Sequence, residues 1–152
     1  MRLSPSLHLL HDLDGAAAPY QYSGPVRRAV LTAKYRSAPW AAEELGVEMA
    51  RLLFGSEVAM RGAEPTPGPV AGYDRGYQLI LPVPPSSRRR GYNVPERMAR
   101  PIAAAIGVPL RTDLLRRVRT GRKQEGLTLE ERLENVANVF QAVQPDQLEH
   151  KR

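Results

Sequence analysis

The sequence predicts an α/β fold with a mostly parallel sheet flanked by helices. Helix-like and strand-like stretches alternate along the chain instead of segregating into blocks. One run, residues 77–83 ("YQLILPV"), is continuously apolar, as a strand covered on both faces must be. The 152 residues suffice for a single core of ordinary size.

Taken in order, residues 1–22 read as an irregular N-terminal segment ending in Tyr20 and Tyr22, and residues 23–152 as one domain. A short helix is expected from Gly24-Pro25, with Val26, Ala29, Val30 and Ala33 on one face and Arg27, Arg28 and Lys34 off it. A second helix is expected over residues 41–54, striped by Leu45, Met49, Leu52 and Leu53, with Gly46 an unfavourable interior residue. Residues 62–76, rich in Pro and Gly, read as a loop before the 77–83 strand. Asn93 can cap the next helix and Pro95 fits its first turn. That helix points Met98, Ile102 and Ile106 inward and ends at Gly107, while Pro101 should kink or split it. "VPLRTDLLRRV" (108–118) reads as a strand followed by a basic segment. Thr128 and Glu131 have capping-box spacing and open a helix through Leu133. "NVANVFQAV" (135–143) reads as a last strand before a polar tail.

The charge balance of +6 points to polyanionic partners such as nucleic acid, phosphorylated metabolites or an acidic surface. Without cysteine, disulfides, thiolate zinc sites and a cysteine nucleophile are excluded. The first residues meet acids too soon for a signal peptide, and no stretch has the length of a membrane span. A soluble, cytoplasmic protein without membrane insertion is therefore expected.

Two basic loops are the candidate sites. The first, residues 84–93, leaves the carboxyl end of the predicted strand, where ligands bind in parallel α/β sheets. Arg88, Arg89 and Arg90 bring charge, Gly91 permits close backbone approach, and the helix start at Asn93 offers N–H groups to phosphate. The second, "RRVRTGRKQEG" (116–126), reads as a lid closing on a charged ligand. Each also reads as a solvated basic turn. Asp12-x-Asp14-Gly15 has the pattern of a phosphotransferring aspartate, but His8 and His11 interrupt the run before it and Ala16 follows the glycine. Those two histidines have only Asp12 and Asp14 as neighbouring ligands and read as incidental, so no metal site is assigned.

In this order the features resemble the ComF family of competence-associated proteins, within the type I phosphoribosyltransferase fold. Three stretches carry the resemblance: "YQYSGPVRRAVLTAKYR" (20–36), "LILPVPPSSRRRGYNVPERMARPIAAAIGVPL" (79–110) and "LLRRVRTGRKQEGLTLEERLENVANVF" (114–140). The resemblance implies a pyrophosphate-binding loop formed by Pro84, Arg88, Arg90, Gly91, Tyr92 and Asn93. It implies a flexible hood bearing Arg117, Arg119, Gln124, Arg132 and Asn135. It further implies phosphoribosyl pyrophosphate with Mg2+ as the ligand, and a link to DNA uptake. Such chemistry passes through an oxocarbenium-like state, and the protein must place positive charge on departing pyrophosphate in a dry site.

Two departures qualify the resemblance. Many family members begin with a cysteine-rich zinc module, which this chain lacks, so no zinc is expected. The fold's strand with paired acids and a Thr-Thr-Gly loop would follow the Phe140 strand, yet the sequence stops at Arg152. The domain is thus expected to be partial and incomplete at its C-terminus, with exposed sheet edges and no transferase activity of its own. Catalytic residues are left unassigned. The alternative is a nucleic-acid-binding or competence-machinery interaction module without catalysis, its arginines on DNA phosphates and its affinity salt-dependent; a structural remnant without ligand is the third reading. The partners expected are a phosphorylated small molecule, or DNA or competence proteins, with a homodimer left open.

Overall fold

The computed structural model describes residues 16–67, 76–86, 91–121 and 126–151. Its elements follow the order α1 (Gly24–Tyr35), α2 (Pro39–Phe54), β1 (Val58–Arg61), β2 (Glu64–Pro67), α3 (Val94–Ile106), β3 (Leu115–Arg117), α4 (Leu129–Val136) and β4 (Phe140–Ala142), with a short 3-10 turn at Pro145–Gln147. The chain is a mixed α/β structure.

The core lies where α2 crosses α3, the largest interhelical contact. Its residues are small. Ala33, Ala38, Ala41, Ala42 and Val94 form one buried cluster, with Tyr92 and Met98 packed against it. Ala50, Val58 and Ala105 form another, against Val47, Ile102 and Ile106. Alanines bring the helix backbones close, and Gly46 marks the nearest approach. A Cβ there would fall on the carbonyl oxygen of Met98 and 2.6 Å from the Pro101 ring. Beside it, Arg97 Nη1 donates to Glu43 Oε1 at 2.8 Å, and Glu43 is only 5% exposed.

Pro101 does not break α3, which runs unbroken from Val94 to Ile106. A mid-helix proline forfeits one backbone hydrogen bond. Here its ring is buried against α2 at Gly46, and that packing offsets the loss. Gly107 ends the helix in the left-handed conformation at φ 69°, as expected.

Part of the predicted 62–76 loop is instead an antiparallel ribbon. β1 and β2 pair from Val58↔Pro67 to Arg61↔Glu64, leaving Gly62 and Ala63 as the turn, with Gly62 at φ 62°. Pro65 and Pro67 are tolerated because a two-stranded ribbon has open edges, where a missing N–H leaves no ladder bond unmade.

The expected parallel sheet is not formed among the described residues. The ladders there are two antiparallel pairs, β1–β2 and β3–β4. Residues 77–83 join no strand, and their parallel contact is one bridge, Ile80 to Leu110. Ile80 N–H donates to Pro109 O and Arg111 N–H to Ile80 O, both at 3.0 Å. Extending this ladder one way requires the N–H of residue 82, and the other way that of residue 109. Both are prolines, so neither bond can form. Nor is the run buried as a central strand would be: Tyr77 and Val83 are exposed.

The last two expected strands are shorter than predicted. β3 pairs with β4 from Leu115↔Ala142 to Arg117↔Phe140, and Asn135 and Val136 belong to α4 instead. Val118 N–H to Val139 O and Val143 N–H to Leu114 O extend the pairing at either end. Leu114 and Val139 are fully buried beneath it. No helix of the described residues is long and apolar enough to cross a membrane.

Candidate functional site

The first basic loop is pinned at its closing end. Asn93 Nδ2 donates to Val83 O at 2.9 Å, which ties the start of the loop to its finish. Asn93 is also the N-cap residue of α3, but its side chain caps no helix N–H, as a capping role would require. Tyr92 packs on the alanine cluster, and its hydroxyl donates to Ala33 O at 2.5 Å. Gly91 sits at φ 76°, a conformation that favours glycine. Tyr92 and Asn93 thus anchor the loop between α1 and α3. Arg88 and Arg90, with Gln124 of the second loop and His8 and His11, lie outside the described residues.

The hydroxyl of Tyr92 reaches a carbonyl on a fully buried alanine, so its loss leaves that acceptor unpaired. Tyr92→Phe is expected to cost about 1 kcal/mol. In thermal unfolding followed by circular dichroism, that is a drop of roughly 2–4 °C for a domain of this size.

The two predicted loops converge. A cleft of about 460 Å³ has Pro84, Pro85 and Ser86 on one wall, and Thr112, the β3 arginines and Thr120 on the other. Arg111 grips Asp113 with Nε and Nη2 at 2.8 and 2.7 Å, bracing the segment between the Leu110 bridge and β3. This hydrogen bond is the main reason the Asp113 carboxyl is held below the usual carboxylate range. A depressed pKa means the bond's stabilisation is present above the unfolded-state pKa and fades as pH falls through the folded one. A carboxyl-carbon NMR titration should therefore place Asp113 below the usual aspartate range, and Arg111→Ala should return it to that range.

Three arginines follow within four residues, 116–119, and do different things. Arg116 donates through Nε and Nη2 to Gln141 Oε1 across the ribbon. Arg117 lies on the other face, its guanidinium 4.7 Å from the centroid of the Phe140 ring. Its Nε is buried and has no hydrogen-bond partner among the described residues. Arg119 donates through Nη2 to Ala137 O at 2.7 Å and Glu134 O at 3.4 Å, closing the carboxyl end of α4.

The remaining predicted hood residues serve α4 as well. Its start is the expected capping box: Glu131 N–H donates to Thr128 Oγ1 at 3.3 Å, and Thr128 N–H to Glu131 Oε2 at 2.7 Å. Arg132 Nε donates to Leu127 O at 3.0 Å. Asn135 lies so close to Gly121 that a Cβ there would stand 3.0 Å from its side-chain oxygen. Arg119, Gly121 and Asn135 line a neighbouring recess of about 370 Å³.

Of the predicted set, Pro84, Arg117 and Arg119 line the larger cleft. Gly91, Tyr92, Asn93, Arg132 and Asn135 stand outside it. The hydroxyls of Ser86, Thr112 and Thr120 in that cleft were not foreseen. No local pattern marks them, because only the meeting of distant segments places them together. Among the described residues, no carboxylate lines the cleft and no group of three metal-ligating side chains occurs. The described residues of the cleft do not fit direct Mg2+ coordination. Comparison with protein families, curated proteins and solved structures finds no match to this chain.

Proposed function

We propose that the chain is a ComF-like protein of the phosphoribosyltransferase class whose basic cleft binds phosphoribosyl pyrophosphate or a related phosphate ligand. The supporting observation is the convergence of residues 84–86 with β3 around Arg117, whose buried Nε has no acceptor among the described residues. An unpaired buried donor is costly, and a phosphate oxygen is the acceptor it wants. The hydroxyls of Ser86, Thr112 and Thr120 can orient further phosphate oxygens. The cation–π contact with Phe140 holds the Arg117 guanidinium in place, so less ordering is left for the ligand to impose. The reading concerns binding. No residue of the cleft is assigned a proton-transfer role, and the link to DNA uptake rests on the resemblance alone.

Titration calorimetry tests it. Phosphoribosyl pyrophosphate should bind, and Arg117→Ala should weaken it by roughly tenfold or more, the worth of a hydrogen bond to a charged group. Arg116→Ala should matter less, because that guanidinium is already committed to Gln141. Absence of binding at millimolar ligand rejects the reading. Salt-dependent duplex DNA binding without any response to the small ligand would favour the nucleic-acid-binding alternative.

A further inference from the structure

Helix α4 carries its apolar stripe on the outside. Leu129, Leu133 and Val136, spaced i, i+4 and i+7, are 57, 56 and 46% exposed, and no residue of the helix is buried. Glu131, Glu134 and Asn135 instead line the recess beneath it. An amphipathic helix normally turns its apolar face to the core. This one leaves that face unpartnered among the described residues.

A second apolar surface lies between α1 and α2, where Ala29, Ala41, Leu45 and Trp40 enclose a groove of about 360 Å³. Trp40 is 62% exposed at one end. The rims differ in sign, with Arg28 on the α1 side and Glu44 and Glu48 on the α2 side. At 100° per residue, the α4 stripe is flanked by Glu130 on one side and Arg132 on the other. The lengths agree as well. Eight residues of α4 and the span from Trp40 to Glu48 each measure about 12 Å.

We propose that α4 of one copy of the chain docks in the α1–α2 groove of a second copy, with its apolar stripe on Trp40 and Leu45. Charges match in one of the two helix directions, Glu130 meeting Arg28 and Arg132 meeting Glu44. Glu48 is already held by Tyr20 and Arg51, which leaves Glu44 as the carboxylate for Arg132. Arg132 gives Nε to Leu127 O and keeps its terminal nitrogens for this contact. A single short helix buries less than a standard interface, so the association is weak. Because the two surfaces differ, the contact is heterologous: every added copy brings a free α4 and a free groove.

Sedimentation equilibrium on the whole chain, from about 5 to about 500 µM, tests this in the range where such small contacts associate. The average mass should rise with concentration past that of a dimer. Trp40→Ala removes the groove and Leu133→Glu the stripe, and each alone should be monomeric. Both side chains are more than half exposed, so thermal unfolding should confirm that the variants still fold. Mixed in equal amounts, the two should form a one-to-one complex and stop there, since one retains its α4 and the other its groove. The sole tryptophan gives a second readout: Trp40 emission should shift to the blue on mixing Leu133→Glu with Trp40→Ala. Should either variant misfold, Glu130→Arg with Arg28→Glu replaces them, each alone monomeric and the mixture associating. A wild-type chain that stays monomeric throughout overturns the proposal. So does a mixture that stays monomeric while wild type associates. None of these outcomes depends on phosphate binding.

Discussion

Gly46→Ala is expected to destabilise the protein by about 2–3 kcal/mol, although alanine is the better helix former by roughly 1 kcal/mol. The two effects oppose each other, and geometry decides between them. The added Cβ would fall on the Met98 carbonyl oxygen and lie 2.6 Å from Pro101 Cγ and 2.9 Å from the Met98 carbonyl carbon. None of these atoms is the end of a flexible side chain. Two belong to the α3 backbone and one to a proline ring fixed to it, so relief requires the helices to separate. Separation opens the alanine clusters on either side and lengthens the Arg97–Glu43 bond. In thermal denaturation followed at 222 nm, the midpoint should fall by roughly 5–10 °C. A raised midpoint would show propensity winning and the helix crossing to be looser than described.

That close approach was half visible in the sequence. Gly46 and Pro101 each stood out as faults within a helix, one too flexible and the other unable to donate. Only their contact explains both, and they are far apart in sequence. Helices with a local signal were legible in much the same way: Pro25 and Pro95 at helix starts, Gly107 at an end and the Thr128–Glu131 box all act within a few residues. Residues 77–83 misled because apolar content measures burial propensity and says nothing of hydrogen-bond capacity. The prolines at 82 and 109 were present in the sequence, but their joint effect depends on a register that sequence does not reveal. The β1–β2 ribbon was hidden by the opposite error, because Pro65 and Pro67 suggested a loop in a place where edge strands accept them.

The candidate site divides along the same line. A run of arginines announces anion chemistry but not which guanidinium is available. Arg117 and Arg119 are two residues apart; one has a buried donor with no partner among the described residues and the other closes a helix. The difference comes from Ala137 and Phe140 across the ribbon. The anchoring contacts of Tyr92 and Asn93 were not legible, because their partners at Ala33 and Val83 lie on other segments. The anchoring still serves the cleft, since it sets where residues 84–86 run.

Arg97→Ala should be the most damaging single change to the ion pair between α2 and α3, at about 3 kcal/mol. The pair is asymmetric. The Glu43 side chain is 7% exposed and that of Arg97 is 27% exposed. Removing the arginine strands a buried carboxylate, and uncompensated buried charges cost about 3–5 kcal/mol, with the lower end fitting a pair partly open to water. Removing the glutamate instead lets the long arginine side chain turn outward to solvent, so Glu43→Ala should cost about 1–2 kcal/mol. Replacing both, as Glu43→Leu with Arg97→Met, removes the charges together and should recover most of the loss, since apolar pairs of like volume often match a buried ion pair. Urea unfolding of the three variants measures the order directly, provided the slopes agree. Equal losses for Arg97→Ala and Glu43→Ala would mean that Glu43 reaches water by another path. The same variants reach the cleft by a second route. Arg97 lies one turn after Asn93 on α3, so a loosened α3 start should shift the Asn93–Val83 tie and weaken phosphate binding even where the fold survives.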